Sequence, residues 1–328
     1  MIEEVNKNLF RIEIPLPHNP LKSLNSYLIK GDGRFVLIDT GMNRQECLDA
    51  MTTALKKLEV DLTKTDFFIT HVHSDHLGLA ATLLTPSSKI YFNEIEAKIL
   101  DVPQEELNAY WQLISDKFAQ FGFPAAETEG ALSRHPGRRY SGNAKLPYTY
   151  VKEGDLISIG DYFLRCIETP GHSPCHCCLY DEQKKILFAG DHILFDITPN
   201  ISYWVELENS LKHYLINLDR VAKMDVQLLL PGHRRLLNNH RRRIEELKAH
   251  HSERLNEIMT QLEEGEKSVY EITPFITWDI KCDSFDDLPP QQKWFAFGET
   301  LAHVLYLEAE GKIKGHAHNG KIKFSRVS

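Results

Sequence analysis

Thr70-His71-Val72-His73-Ser74-Asp75-His76-Leu77-Gly78 puts three imidazoles and a carboxylate within six positions. It follows a run, Phe67-Phe68-Ile69-Thr70, whose length and composition predict a buried strand. The C-terminal end of such a strand is where α/β folds place their sites. His71 and His73 alternate, so both can converge on one ion. Asp75 and His76 open the next turn and can point at a second. Imidazole and carboxylate are donors that suit zinc, iron or manganese.

Three further apolar runs end in the same way. Ile167-Glu168-Thr169-Pro170-Gly171-His172, Ile186-Leu187-Phe188-Ala189-Gly190-Asp191 and Leu228-Leu229-Leu230-Pro231-Gly232-His233 each deliver one polar group after small or rigid residues. Glycine and proline there permit tight turns and close approach to an ion. One Pro-Gly-His would carry little weight. The three strand ends together with the histidine cluster carry a great deal.

Around these motifs, strands are expected at 9–16, 24–29, 35–38, 67–70 and 89–92, then at 148–151, 156–159, 162–168, 175–180, 186–189 and 226–230. Helices are expected at 43–58 and 209–222. Two similar halves of this kind predict an α/β fold of two sheets covered by outer helices. Residues 93–146 interrupt the pattern with a helical insertion rich in aromatics (Tyr110, Trp111, Phe118, Phe121, Phe123), ending in a Gly/Pro/Arg-rich loop from Pro136 to Gly142. Beyond His233 a long helix at 239–264, a helix at 291–310 and a hairpin around Asn319-Gly320 predict a winged-helix-like module over 236–328, following a catalytic unit over 1–235.

The motifs His71-Val72-His73-Ser74-Asp75-His76, Gly171-His172, Gly190-Asp191 and Gly232-His233 resemble, in order, those of the metallo-β-lactamase-fold hydrolase superfamily. The resemblance spans about residues 5–235, and the C-terminal part looks like the appendage of the lactamase-like protein 2 group. It implies a four-layered αβ/βα sandwich. It further implies one metal held by His71, His73 and His172, a second held by Asp75, His76 and His233, and Asp191 bridging them. Two divalent ions, zinc first, with iron or manganese as the alternatives, would share a water and make hydroxide at neutral pH. Asp75 would orient that hydroxide and carry its proton, while Asp39, in Leu37-Ile38-Asp39-Thr40-Gly41, would orient histidines. His176, Phe195, Tyr203 and Trp204 are candidates for the substrate side. Arg138 and Arg139 are read as solvated, as are Arg241 to Arg243.

The 328 residues include 38 basic and 46 acidic side chains, for a net charge of −8. Residues 234–328 hold 15 of each sign, so the whole imbalance lies in residues 1–233. A phosphate-binding surface is usually basic, which argues against nucleic acid as partner and for a small molecule. The start Met1 to Lys7 lacks a signal-peptide pattern and no apolar run approaches bilayer length, so a cytoplasmic protein without membrane contact is expected. The six cysteines (47, 166, 175, 177, 178, 282) are expected to be reduced. These readings favour hydrolysis of a thioester, lactone or other acyl compound. A metal-dependent endoribonuclease is the alternative, followed by a mononuclear iron enzyme similar to persulfide dioxygenases. A homodimer through Phe295, Leu301 and Leu305 is a further expectation.

Overall fold

The computed structural model describes residues 1–140, 145–236, 239–278 and 284–327. Seven strands form the first sheet in chain order: β1 (Ile2–Asn6), β2 (Leu9–Pro15), β3 (Ser23–Lys30), β4 (Phe35–Ile38), β5 (Thr65–Phe68), β6 (Ile90–Asn93) and β7 (Tyr148–Val151). Strands β1 to β4 pair antiparallel, whereas β4 to β7 run parallel and need the crossover helices between them. The second sheet holds β8 (Leu156–Ile159), β9 (Tyr162–Glu168), β10 (Cys177–Asp181), β11 (Ile186–Gly190) and β12 (Leu228–Pro231), ordered β12-β11-β10-β9-β8.

Strand periodicity sorts the side chains into layers. Val36, Ile38, Phe68, Leu164, Cys166, Ile186 and Phe188 meet in the apolar core between the two sheets. Their chain neighbours turn the other way. Leu37 and Phe67 pack with Cys47, Met51 and Leu55 of helix Gln45–Lys57. Leu187 and Ala189 pack with Leu211, Tyr214 and Leu218 of helix Ser210–Ala222, together with Ile244 and Leu247 of helix His240–Gln261. The order helix, sheet, sheet, helix is the four-layered sandwich expected from the sequence. Each fully buried aliphatic or aromatic side chain contributes about 1.5–3 kcal/mol to it.

A fourth apolar cluster lies apart from the sandwich. Phe118, Phe121, Phe123 and Leu132 of the insertion pack with Ile258, Trp294, Phe297, Leu301 and Phe324 of the C-terminal segment. The insertion is helical over Glu94–Leu100, Gln104–Gln120, Ala125–Leu132 and Pro136–Arg139. Pro103 caps the start of the second of these and separates it from the first. The C-terminal segment contributes helix Pro290–Ala309 and the hairpin β13 (Ile313–His318) with β14 (Lys321–Arg326). Leu301 is fully buried, whereas Phe295, whose ring lies 5.0 Å from that of His135, and Leu305 are half-buried. Strand β1 and the short helices Ala80–Leu83 and Val269–Ile272 lie outside the elements expected from sequence, and helix Pro136–Arg139 falls within the expected loop. Gly142 and Cys282 lie outside the described residues. The five described cysteines are buried free thiols, and no helix among the described residues is long and apolar enough to cross a membrane.

Candidate metal centre

Loops at the ends of five strands meet at one edge of the sandwich. The loop after β5 brings His71 and His73, then a one-turn helix, Ser74–Leu77, that carries Asp75 and His76. Strand β4 leads into Asp39, β9 towards His172, β11 into Asp191 and β12 towards His233. Close approach demands glycine at two of these ends. A Cβ on Gly232 would sit 2.4 Å from Asp191 Oδ1, and one on Gly190, at φ +47°, would sit 2.4 Å from His176 Nε2.

The hydrogen bonds on the far side of each ring decide which nitrogen faces inward. His172 Nδ1 donates to the Asn200 carbonyl at 2.8 Å, leaving Nε2 as a bare acceptor. The Thr70 hydroxyl donates to Asp39 and accepts from His71 Nδ1 at 3.0 Å, so His71 Nε2 is bare as well. His71 Nε2 and His172 Nε2 lie 2.9 and 3.0 Å from His73 Nδ1. Burial pushes all three imidazoles toward the neutral form, His73 down to about 3. Three neutral nitrogens at that spacing form the first cluster.

Asp75, His76 and His233 form the second. His76 Nδ1 donates to Asp39 at 2.7 Å and His233 Nδ1 to the Ser23 carbonyl at 2.7 Å. His233 Nε2 lies 3.4 Å from both Asp75 and Asp191. Asp191 stands between the clusters, 3.5 Å from His76 Nε2 and 3.6 Å from His172 Nε2. His76 Nε2, His233 Nε2 and Asp191 Oδ1 are buried without a hydrogen-bond partner, an arrangement that a cation would satisfy. Burial works against a charge on His76 and His233, yet Asp191, with Asp39 or Asp75 beside it, draws positive charge there and raises both rings, His233 to about 10. Asp75 is held down at about 2 by His233 and His76 although burial opposes this. The donor set therefore fits divalent ions in chemistry and in charge.

A cavity of about 1230 Å³ opens on the centre, with His73, Asp75, His172 and Asp191 at its polar end. Tyr110, Trp111 and Phe118 of the insertion and Trp294 and Phe295 of the C-terminal helix form its aromatic wall. Tyr203 and Trp204 line it too. The Trp204 ring lies 5.8 Å from that of His73, and its Nε1 donates to the His172 carbonyl at 3.1 Å.

Two other candidates are placed elsewhere. His176 is fully buried, its Nε2 accepts from the Asp191 amide at 3.1 Å, and its Nδ1 therefore donates to Thr169 at 2.8 Å. With both nitrogens engaged, it braces Asp191 from behind and has none to offer a substrate. Phe195 packs against the outer helices of the second sheet and does not reach the cavity.

Glu96 escaped the sequence reading. Fully buried, it accepts from Val72 N at 2.8 Å and from Ser173 Oγ and Cys175 N at 2.6 Å each. It thereby ties the His71–His73 loop to the His172 loop. Burial raises its carboxyl to about 7 against those three donors. No local pattern marks such a residue, because its partners lie 24 to 79 positions away.

The profile of the metallo-beta-lactamase superfamily matches residues 20–233. A metallo-beta-lactamase family protein of Thermus thermophilus superposes with a TM-score of 0.81 at 28% identity, covering 99% of this chain and 100% of that one. The Beta-lactamase-like protein 2 homolog of Caenorhabditis elegans is 25% identical over 86% of this chain and 79% of its own length. The Acyl-coenzyme A thioesterase MBLAC2 of Homo sapiens is 25% identical over 64% of this chain and 72% of its own length. Since the profile covers the strand ends that build the centre, and the fold agrees along the whole chain, the protein belongs to the metallo-beta-lactamase superfamily and is a hydrolase of it.

Proposed function

We propose that the protein is a dinuclear metal-dependent hydrolase of acyl compounds, with thioesters as the first substrate class. The observation that carries this reading is a pair of His/Asp clusters sharing Asp191 at the polar end of an aromatic cavity. His71, His73 and His172 would hold one ion and Asp75, His76 and His233 the other, with Asp191 standing between the two sets. The donors include no thiolate, a set suited to zinc and also to iron or manganese. When bound, such ions would supply positive charge that polarises an acyl carbonyl and acidifies a water.

The chain's own groups do the rest. Asp75, ionised at neutral pH and lining the cavity, orients the attacking water and takes its proton. Tyr203 and Trp204 exclude bulk water beside the centre, and the aromatic wall takes an apolar acyl portion. The relative named as an acyl-coenzyme A thioesterase supports a thioester over a lactone.

In this reading residues 1–235 supply the centre, and the winged-helix-like 236–328 supplies a cavity wall rather than a nucleic-acid surface. Lys323 pairs with Glu271 at 3.2 Å and Arg326 with Glu263 at 2.7 Å, which offsets two of the four lysine and arginine charges of the hairpin. Lys293, the one lysine or arginine of helix Pro290–Ala309, pairs with Glu127 at 3.1 Å. The test is a hydrolysis panel on metal-defined protein, setting acyl thioesters and lactones against single-stranded RNA. Thioester turnover at two ions per chain is expected. Cleavage of RNA alone, or oxygen uptake with a single iron, would overturn the reading.

A further inference from the structure

The C-terminal helix reaches the centre through a line of short polar contacts. Gly298 of helix Pro290–Ala309 packs so closely on the loop after Asp191 that a Cβ there would lie 2.3 Å from Ser202 Oγ. The next residue, Glu299, is only 6% exposed and accepts from Asn200 Nδ2 at 2.6 Å. The Asn200 carbonyl in turn accepts from His172 Nδ1 at 2.8 Å. On its other side Glu299 pairs with Arg254 at 2.7 Å, and Arg254 is itself held over the Trp278 ring at 4.3 Å and donates to the Thr277 carbonyl. The His303 ring donates to the Glu299 carbonyl at 2.7 Å, which fixes the helix at the same point.

We propose that Glu299 is a positioning residue for His172: by holding the Asn200 side chain it fixes the main-chain carbonyl that sets the tautomer and direction of the imidazole. The C-terminal segment is then a working part of the metal centre and not an appendage. This inference rests on reading His172 as a ligand. Groups that orient a ligating histidine typically change metal affinity 10–100-fold when removed.

The experiment measures zinc affinity of the full chain by competition with a chromophoric chelator, and records the visible spectrum of the cobalt-substituted protein. It uses Asn200→Ala, Glu299→Gln and their combination. Each single variant should weaken one of the two ions 10–100-fold, leave the other within threefold, and shift the cobalt bands. The double variant should lose little more than either single, because both lie on one line. Glu299→Gln leaves Arg254 without its counter-charge and can fail to fold. Asn200→Ala keeps that pair and decides the question alone. Parental affinities and cobalt spectrum in Asn200→Ala would overturn the inference, and so would equal weakening of both ions. His172→Ala separates the two levels. If it binds both ions normally, the ligand reading has failed, whereas loss in His172→Ala without loss in Asn200→Ala removes only the role of Glu299.

Discussion

Asp39 Oδ2 lies 2.7 Å from His76 Nδ1, and the carboxylate reaches it from a backbone held at φ +57°. The same carboxylate accepts from the Thr70 amide at 2.9 Å and from the Thr70 hydroxyl, which in turn accepts from His71. One side chain thus orients a histidine of each cluster. Asp39→Asn must turn an amide N–H toward one of these donors. We expect both ions to weaken, that at His76 by 10–100-fold, as read by chelator competition.

His71→Ala with His73→Ala removes two of the three nitrogens of the first cluster and no part of the second. Metal analysis should show one ion lost, with turnover reduced at least 10³-fold. Far-UV circular dichroism should stay unchanged, because both residues sit in the loop after β5 and belong to no strand or helix. Full two-ion occupancy in the double variant would remove the assignment.

Glu96→Gln keeps shape but cannot satisfy three donors, since its Nε2 must face the Val72 amide or the Cys175 amide. The loops carrying His71, His73 and His172 should lose their fixed spacing. We expect the first ion to weaken about tenfold and kcat to fall with little change in KM, measured on the thioester that proves best.

Stability should fall in acid. His303 is held at about 3 and His251 well below its ordinary value, both by burial, and the two are joined ring to ring at 2.9 Å. Their folded-state values lie below the unfolded 6.5. The stabilisation is therefore complete above pH 6.5 and drains away as pH falls below it, for His303 toward about 3. Each ring costs about 1.4 kcal/mol per pH unit in that window. Urea unfolding between pH 7 and 5 should show this slope, and His303→Leu should flatten it by about one proton.

Replacing Lys312, Lys314, Lys321 and Lys323 with Gln should leave thioester turnover unchanged. RNA binding by the parent should be weak, with a shallow salt dependence. A nuclease would show a slope near −0.7 per contacted phosphate, lost in the variant.

The sandwich and the strand-end positions of the seven candidate ligands were legible because such patterns are local: His71, His73, Asp75 and His76 directly follow an apolar run, and His172, Asp191 and His233 each follow one that ends in glycine. His176 shows the limit of that logic. Its offset from Gly171-His172 announces nearness to the centre but not direction, and the ring faces Thr169 and the Asp191 amide. Glu96 and Glu299 were illegible for another reason: their partners are 24 to 99 positions away, and only the folded chain brings them together. The insertion's destination was hidden likewise, since amphipathic helices declare an apolar face without naming what will cover it.

That cover has a consequence for how the chain comes apart. Phe118, Phe121 and Phe123 are sealed by residues some 130 to 200 positions later in the chain, Ile258, Trp294 and Phe324 among them. A polypeptide stopped at residue 235 would emerge with those rings bare and should associate through them. The intact protein should therefore melt in one calorimetric endotherm, with the aromatic wall and the C-terminal helix released together.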